Sequence, residues 1–378
     1  MTDLVSMFGI RLQLLIGQEV PVPASYDVMD ALISVQVTNN DRERDGFQME
    51  FNLGKDTPLE YGLLASGDLD IGNEVIVIVI FGVLPETLID GIITDHQIDC
   101  DNEPGRTRLI VTGEDVSARL SFKDQNETHT QQKDSDIVDK ILSGAGFITR
   151  ITETNDTPSE NERIPSQQCN NLSYVNKLAK RNGFVFYVEP SDIPGQNIAY
   201  WGPENRQGEH QPPLTLNMGA QTNVDTPIQF RFNAMGPAEP EVSILDPFTR
   251  TPIPVPIPAS FLPSLSGNPA TPLRTMISRE SANLSFPQAL LRAVTGVSES
   301  SDAIQATGEV DAVRYGHALR SRRLVDVRGA GKSYDGTYYI KSVVHNIKRQ
   351  TRGEYKMRFT LIRDGRGASS TSVGTVEG

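Results

Sequence analysis

Tryptophan occurs once in this chain of 378 residues, at Trp201, and cysteine twice, at Cys100 and Cys169. Two cysteines in different predicted elements allow one disulfide at most, and because nothing else points to an oxidising compartment two free thiols are the better expectation. No apolar run approaches the roughly 18 residues of a membrane-spanning helix, and no apolar stretch follows a basic start; neither a membrane span nor a secretory leader is implied. Basic residues are outnumbered, 35 Lys and Arg against 48 Asp and Glu, and the net charge of −13 argues against a protein that coats nucleic acid. Catalytic signatures are missing too. Neither GxSxG nor HExxH occurs, and His96, His129, His210, His317 and His345 have no neighbouring nucleophile or paired acid at a recognisable spacing. The chain is read as a non-enzyme, with no catalytic, cofactor-binding or metal-binding residue nominated.

Turn residues and alternation are what the chain has in quantity. Its length allows two to four domains. The 24 Pro and 31 Gly are scattered through it, as in a β-rich protein. Ile33, Val35 and Val37 alternate with Ser34 and Gln36, and Phe47, Met49, Phe51 and Leu53 alternate with Gln48, Glu50 and Asn52. Period two marks strands with one buried face, and the Gly, Asn and Asp turns between them predict a small antiparallel barrel. The run Val75, Ile76, Val77, Ile78, Val79, Ile80 and Phe81 breaks the rule, being apolar on both faces. Its second face needs cover, from another segment of the same chain or from a second subunit. These seven residues are the candidate subunit interface.

The chain also carries a weak internal repeat. Leu69 to Val75 opens a strand, Asp90-Gly91 is read as a turn, His96-Gln97-Ile98 closes the next strand, and Arg108 to Val111 forms another. Leu324 to Val327, Asp335-Gly336, His345-Asn346-Ile347 and Tyr355 to Leu361 follow the same order. Two barrels built alike would explain this, with Asp90-Gly91 on Asp335-Gly336 and four extra residues before His345 absorbed by a longer strand or a bulge; chance similarity between β-hairpins is the alternative, and a different strand order or one continuous sheet would count against the duplication. Leu109 with Val111, and Met357 with Phe359, should then point into their barrels.

Three features suggest chemistry and then fail on spacing. Gly329-Ala330-Gly331-Lys332-Ser333 ends like a phosphate-binding loop, but Asp326 stands where its first glycine belongs, and a turn and strand follow instead of a helix. Asp95, His96, Asp99, Asp101 and Glu103 lack the fixed spacing of a calcium loop. From Arg314 to Arg366 there are 14 Lys and Arg against 4 Asp and Glu, a local charge of +10 that leaves −23 for the remainder. Because these charges alternate along predicted strands, a solvated face or an acidic neighbour explains them better than a phosphate site. Ten prolines fall between Gly236 and Pro272, including Pro252, Pro254, Pro256 and Pro258, which makes this an extended connector and not a central strand. One more short helix is expected over Ser285 to Val294.

Two amphipathic helices stand between these regions. Ser135 to Gly144 offers Ser135 as a cap and a stripe of Ile137, Val138, Ile141 and Leu142; Asn171 to Gly183 offers Asn171 or Ser173 as a cap and Gly183 as a left-handed stop. "SDIVDKILSGAGF", "QQCNNLSYVNKLAKRNGFVFYVEP" and "YWGP", together with the block Gly308 to Gly365, resemble the pattern of baseplate hub proteins of contractile phage tails, the late control protein D family, whose hub portion VgrG proteins share.

The resemblance implies a mainly β fold with α+β insertions, made of two similar antiparallel β-barrels and two smaller domains. It implies a first barrel over 1–118, a helix-bearing α+β domain over 119–203, a second barrel over 204–243 and 308–366, a proline-rich connector over 244–307 and a flexible tail over 367–378. It further implies a homotrimer whose six barrels form a pseudo-sixfold ring. That ring would join a sixfold inner tube, or its initiator, to a separate threefold spike protein among other baseplate proteins, and transmit force on contraction. The location would be the baseplate of a virion tail or injection system, assembled in the bacterial cytoplasm, with no nucleotide bound. The rival is a tail-associated cell-wall hydrolase or carbohydrate-binding β-protein, which needs carboxylates across a cleft and aromatic rings to stack on sugar.

Overall fold

The alternation near the N-terminus forms an antiparallel ladder. Its elements are β1 (Val5–Met7), β2 (Ile10–Gly17), β3 (Val22–Pro23), helix α1 (Tyr26–Ala31), β4 (Leu32–Asn40), β5 (Gly46–Asn52), helix α2 (Gly62–Ala65), β6 (Glu74–Phe81), β7 (Leu84–Asp99) and β8 (Arg108–Asp115). The computed structural model describes residues 5–7, 9–18, 20–54, 61–103, 105–155, 157, 165–224, 226–245, 251–254, 263–278, 302–349 and 353–369. The strand order is β1-β2-β6-β7-β8-β5-β4, with every neighbouring pair antiparallel. One face of each strand fills the core: Leu12 and Leu14 of β2, Val35 and Val37 of β4, Phe47 and Met49 of β5, Leu109 and Val111 of β8. Burying each such side chain is worth about 1.5–3 kcal/mol. Ser25 caps α1, its Oγ accepting from the Val28 amide at 3.4 Å, and α1 lays Val28 and Met29 into the same core.

A 3-10 turn at Val116–Ser121 leads to β9 (Asp124–Thr128), α3 (Asp134–Gly144), β10 (Ile148–Ile151), β11 (Ser166–Asn170), α4 (Asn171–Asn182), β12 (Val185–Pro190) and β13 (Asn197–Gly202). The sheet β10-β13-β12 packs with both helices around Trp201, which is fully buried beside Ile137, Val138, Leu142, Val175 and Leu178. Gly183 closes α4 at φ 70°, as its position predicts. The N-terminal caps differ from expectation. Helix α3 begins at Asp134 behind an extended Lys133 with no side-chain cap, and Ser135 is buried with its amide donating to Thr154 Oγ1 at 3.1 Å. Asn170, not Asn171 or Ser173, caps α4, accepting from the Ser173 amide at 2.9 Å. A cap needs an extended backbone, and strand β11 supplies it one residue earlier than the composition suggests.

The chain continues through β14 (His210–Thr215), β15 (Gln229–Phe232), β16 (Ala238–Leu245), β17 (Pro252–Pro254), β18 (Ser266–Pro269) and β19 (Arg274–Ser278). Pro252 and Pro254 lie on an outer strand, since β16 runs between β17 and β19, and an edge is where a residue without an N–H is tolerated. Pro256, Pro258 and the helix expected over Ser285 to Val294 fall outside the described residues.

The second barrel is built from β20 (Ile304–Asp311), helix α5 (Ala312–Tyr315), β21 (Leu324–Arg328), β22 (Gly336–Lys348) and β23 (Glu354–Arg363), with β24 (Gly365–Ala368) pairing β18. Its order β21-β22-β23-β20-β15 repeats β6-β7-β8-β5-β4, every pair again antiparallel. The likeness extends to irregularities. The β7–β8 ladder skips one residue, Thr94, between Ile93 and Asp95; the β22–β23 ladder skips Lys341 between Ile340 and Ser342. Anchored on these bulges, Ile93 matches Ile340, Arg108 matches Lys356, and Glu50 matches Glu309. The matched ion pairs Arg108–Glu50 (3.6 Å) and Lys356–Glu309 (3.5 Å) both form. Gly72 donates to the Ile93 carbonyl at 2.9 Å, and its counterpart Arg322 donates to the Ile340 carbonyl at 2.9 Å, both from a left-handed backbone, φ 94° and φ 62°.

This alignment corrects three expectations. Asp90-Gly91 is not a turn: it lies inside β7 opposite Ile76 and Val75, and Asp90 matches Thr337, not Asp335. His96 matches Val343 and His345 matches Ile98, so the four-residue discrepancy vanishes. The two regions also share one hydrogen-bonded sheet instead of forming two, because β22 outruns β21 and its second half pairs with β4. Leu109, Val111, Met357 and Phe359 all lie in the main core.

Candidate assembly site

The strand nominated from sequence is β6, with β2 on one edge and β7 on the other. Val75, Val77 and Val79 enter the core, while Ile76 and Ile78 on the opposite face are 1% and 4% exposed within a single chain. Pro190 at the end of β12 and Ser191, Asp192 and Pro194 after it share with Ile78 the lining of a small cavity of about 70 Å³. The same chain therefore supplies the cover, and only Ile80 and Phe81 remain half-buried. The apolar character of β6 needs no partner subunit to explain it.

The barrel-to-barrel junction carries more of the organisation. Strand β4 pairs with the second half of β22 from Asn40 opposite Ser342 to Ser34 opposite Lys348, so that Val37 faces His345. His345 is 1% exposed, and its Nδ1 lies 2.8 Å from the Tyr355 hydroxyl. Burial, with some help from Arg320, lowers its pKa to about 3 and keeps the ring uncharged.

Buried ions lock this junction. Arg322, entering from the second barrel, donates to both carboxylate oxygens of Asp45 in the first, at 3.1 and 2.9 Å. Its guanidinium also lies 4.2 Å from the Tyr187 ring centroid and 3.7 Å from Glu189, both on β12. Asp45 accepts further bonds from the Asn39 side chain and the Asn40 amide, and its own amide donates to Asp115. Burial and then the neighbouring Asp45 raise the Asp115 pKa to about 6. A second lock centres on Arg206, which is buried and bonds Glu204 at 2.6 Å and Asp302 at 2.7 and 2.9 Å, while Arg42 of the first barrel bonds Glu204 at 2.6 Å. Removing one partner of such a pair leaves an uncompensated buried charge, which costs about 3–5 kcal/mol. The basic excess of the C-terminal block is thus met by acidic neighbours within the chain: Arg322 and Arg323 by Glu189, Arg320 by Glu86 and Arg349 by Asp30. Sequence reasoning nominated none of Asp45, Glu204, Arg206, Asp302 and Arg322; the local charge asymmetry was their only signal.

The other singled-out features are structural. Trp201 donates from Nε1 to the Val175 carbonyl at 3.4 Å and meets Phe184 edge-on, so its face is not open to a sugar. In Gly329 to Ser333 the Ala330 amide donates to Asp335 at 2.7 Å, and the Ser333 carbonyl accepts from Arg363 and the Gly367 amide. Cys100 is exposed and Cys169 half-buried, both as free thiols. Among the described residues no three His, Cys, Asp or Glu side chains are placed to hold a metal ion, and no helix is long and apolar enough to cross a membrane.

Comparison with solved structures relates the whole fold to tail proteins. The tail protein from Neisseria meningitidis MC58 superposes with a TM-score of 0.63 over 93% of this chain and 97% of its own, at 12% identity. The 43 kDa tail protein of prophage MuSo2 from Shewanella oneidensis gives 0.59 over 94% and 98%, at 16% identity. The E. coli c3393 protein, described as a component of the type VI secretion system with structural similarity to the T4 tail proteins gp27 and gp5, gives 0.55 over 89% and 76%, at 14% identity. The chain therefore has the fold of phage-tail proteins. The family model of the Alg8 N-terminal domain matches residues 52–202, a span that omits β2 and β4 and so contains neither barrel whole. The curated protein sequences contain no match.

Proposed function

We propose that this chain is the structural hub of a contractile-tail or phage-derived injection-system baseplate, working as a homotrimer that joins a sixfold inner tube to a threefold central spike. The observation that carries the reading is the duplication: two barrels of equal strand order, with matching bulges and matching left-handed residues, in one chain. Three copies of such a chain offer six similar surfaces to a sixfold partner and three equivalent sites to a threefold one. The domain bounds implied by the family resemblance go with this proposal, as do a separate spike polypeptide, a tube or tube-initiator partner and a place in the baseplate. The role is mechanical: the buried ion locks hold the barrels in fixed relation, so a push on the ring is passed to the spike and not absorbed between domains.

The test is the mass and shape of the purified chain. Light scattering should give three times the chain mass, and particle images should show a ring with six similar lobes around a channel. A monomer that remains monomeric beside the spike and tube proteins of its own gene cluster would overturn the proposal.

A further inference from the structure

Of the strand edges with no neighbour among the described residues, two belong to strands with a matched, paired counterpart in the other barrel. Strand β15 ends the sheet and pairs only with β20. The second half of β7, Asp95 to Asp99, pairs with β8 on one side, but β6 stops opposite Ile92 and leaves its other side open. These edges are the counterparts of the two strands that do join inside the chain. By the bulge alignment, His96, Gln97, Ile98 and Asp99 match Val343, Val344, His345 and Asn346 of β22. By their partners in β5 and β20, Gln229, Phe230, Arg231 and Phe232 match Gln36, Val37, Thr38 and Asn39 of β4. Inside the chain Asn39, Thr38, Val37 and Gln36 pair with Val343, Val344, His345 and Asn346.

We propose that β15 of one copy adds to the open half of β7 on the next copy, in the register of the internal junction. Phe232 then lies opposite His96, Arg231 opposite Gln97, Phe230 opposite Ile98 and Gln229 opposite Asp99. The contact is head to tail; where the rotation between neighbours closes, copies joined this way form a ring in which these two edges are covered. The inference rests on the ring reading above and names the surfaces that make the ring.

Three observations fit this register. Ile98 is 41% exposed, whereas its counterpart His345, covered by β4, is 1% exposed. A strand laid along β7 would hide Ile98 in the same way, and Phe230 is the half-buried apolar residue brought opposite it. Arg231 is exposed and has no ion-pair partner among the described residues. In the proposed register it faces Gln97 with the exposed carboxylates of Asp95 and Asp99 two residues to either side, where diagonal cross-strand pairs form.

Cysteine pairs read the register directly, because a slip of one residue sends side chains to opposite faces. In the full chain carrying Cys100→Ser and Cys169→Ser, Arg231→Cys with Gln97→Cys is expected to form intermolecular disulfides on mild oxidation, ending at a closed species in which every copy is linked. Arg231→Cys with Ile98→Cys should remain at the mass of a single chain on a non-reducing denaturing gel. An oligomer by light scattering that does not link through residues 231 and 97, or that links equally through 231 and 98, overturns the edge pairing and leaves the ring reading standing. A chain that neither links nor oligomerises at any concentration, alone or beside its tail partners, overturns both.

Discussion

The two barrels hold the same backbone turn with opposite residues. Gly72 and Arg322 occupy matched left-handed positions and donate the matched hydrogen bond to Ile93 and Ile340. Glycine adopts that conformation freely, whereas any residue with a Cβ is strained there by about 1–2 kcal/mol. The second barrel accepts the strain because a side chain starting at this point reaches Asp45 of the first. The first barrel has no such target at Gly72, where a Cβ would meet nothing within 4 Å. The two barrels share one scaffold, and one residue in a strained position makes the second the anchor of the first.

The largest expected effect breaks this comparison at its centre. Arg322→Ala should lower stability by about 3–5 kcal/mol in chemical denaturation, because Asp45 loses its buried partner, while Gly72→Ala should cost only the strain of about 1–2 kcal/mol. Equal losses at the two positions would mean that the junction contributes nothing.

Next come the glycines that face aromatic rings. A Cβ on Gly113 would lie 2.3 Å from Cζ of Phe47 and 2.4 Å from the Ile92 carbonyl oxygen, whereas one on Gly308 would lie 2.6 Å from Cζ of Phe359, with Phe359 and Ile228 side chains as its nearest neighbours. Backbone cannot move aside as a ring can. Gly113→Ala should therefore cost at least as much as the usual overpacking penalty of about 1–3 kcal/mol, and Gly308→Ala less. Adding Phe359→Leu should recover part of the loss at Gly308, and adding Phe47→Leu little of the loss at Gly113. Thermal melts of the four variants decide this.

The smallest effect concerns Asp90, whose counterpart is the uncharged Thr337. Burial raises its pKa to about 7; the bond from Asn197, at 2.6 Å, works the other way, and nearby Glu74 adds to the rise. Between about pH 4 and pH 7 the folded chain thus keeps a proton that the unfolded chain releases, so this contribution is full below pH 4 and is lost as pH rises through 7. Asp90→Asn should be more stable than the parent at pH 8, by a margin that shrinks toward pH 4. A difference that does not change with pH would show that the carboxyl is not held protonated.

Local features were legible where neighbours in sequence decide them. The stop at Gly183 needs only a left-handed residue after an amphipathic helix, and the alternation over Phe47 to Leu53 needs only one buried face. The helix starts were read less well, because the extended cap residue is set by where β11 ends and not by whether position 170, 171 or 173 has a suitable side chain. The repeat was legible as an order of elements but not as a register. Asp-Gly and His coincidences pulled the alignment off the bulges at Thr94 and Lys341, which no composition marks.

By itself, the sequence determined that this chain is β-rich, that the second face of Val75 to Phe81 needs cover, and that the basic C-terminal block belongs to a solvated face or an acidic neighbour and not to a phosphate site. Period and composition report which face of a strand is buried, and these conclusions need no more than that. Tertiary structure alone decided what covers it: the chain's own packing over β6, Asp45 against Arg322 at a separation of 277 residues, and β4 against the second half of β22. Such partners are chosen by the geometry of closing two barrels on each other, and that geometry leaves no periodic trace in either segment. The edges of β7 and β15 that have no neighbour among the described residues are the counterparts of the two strands that join at this closure.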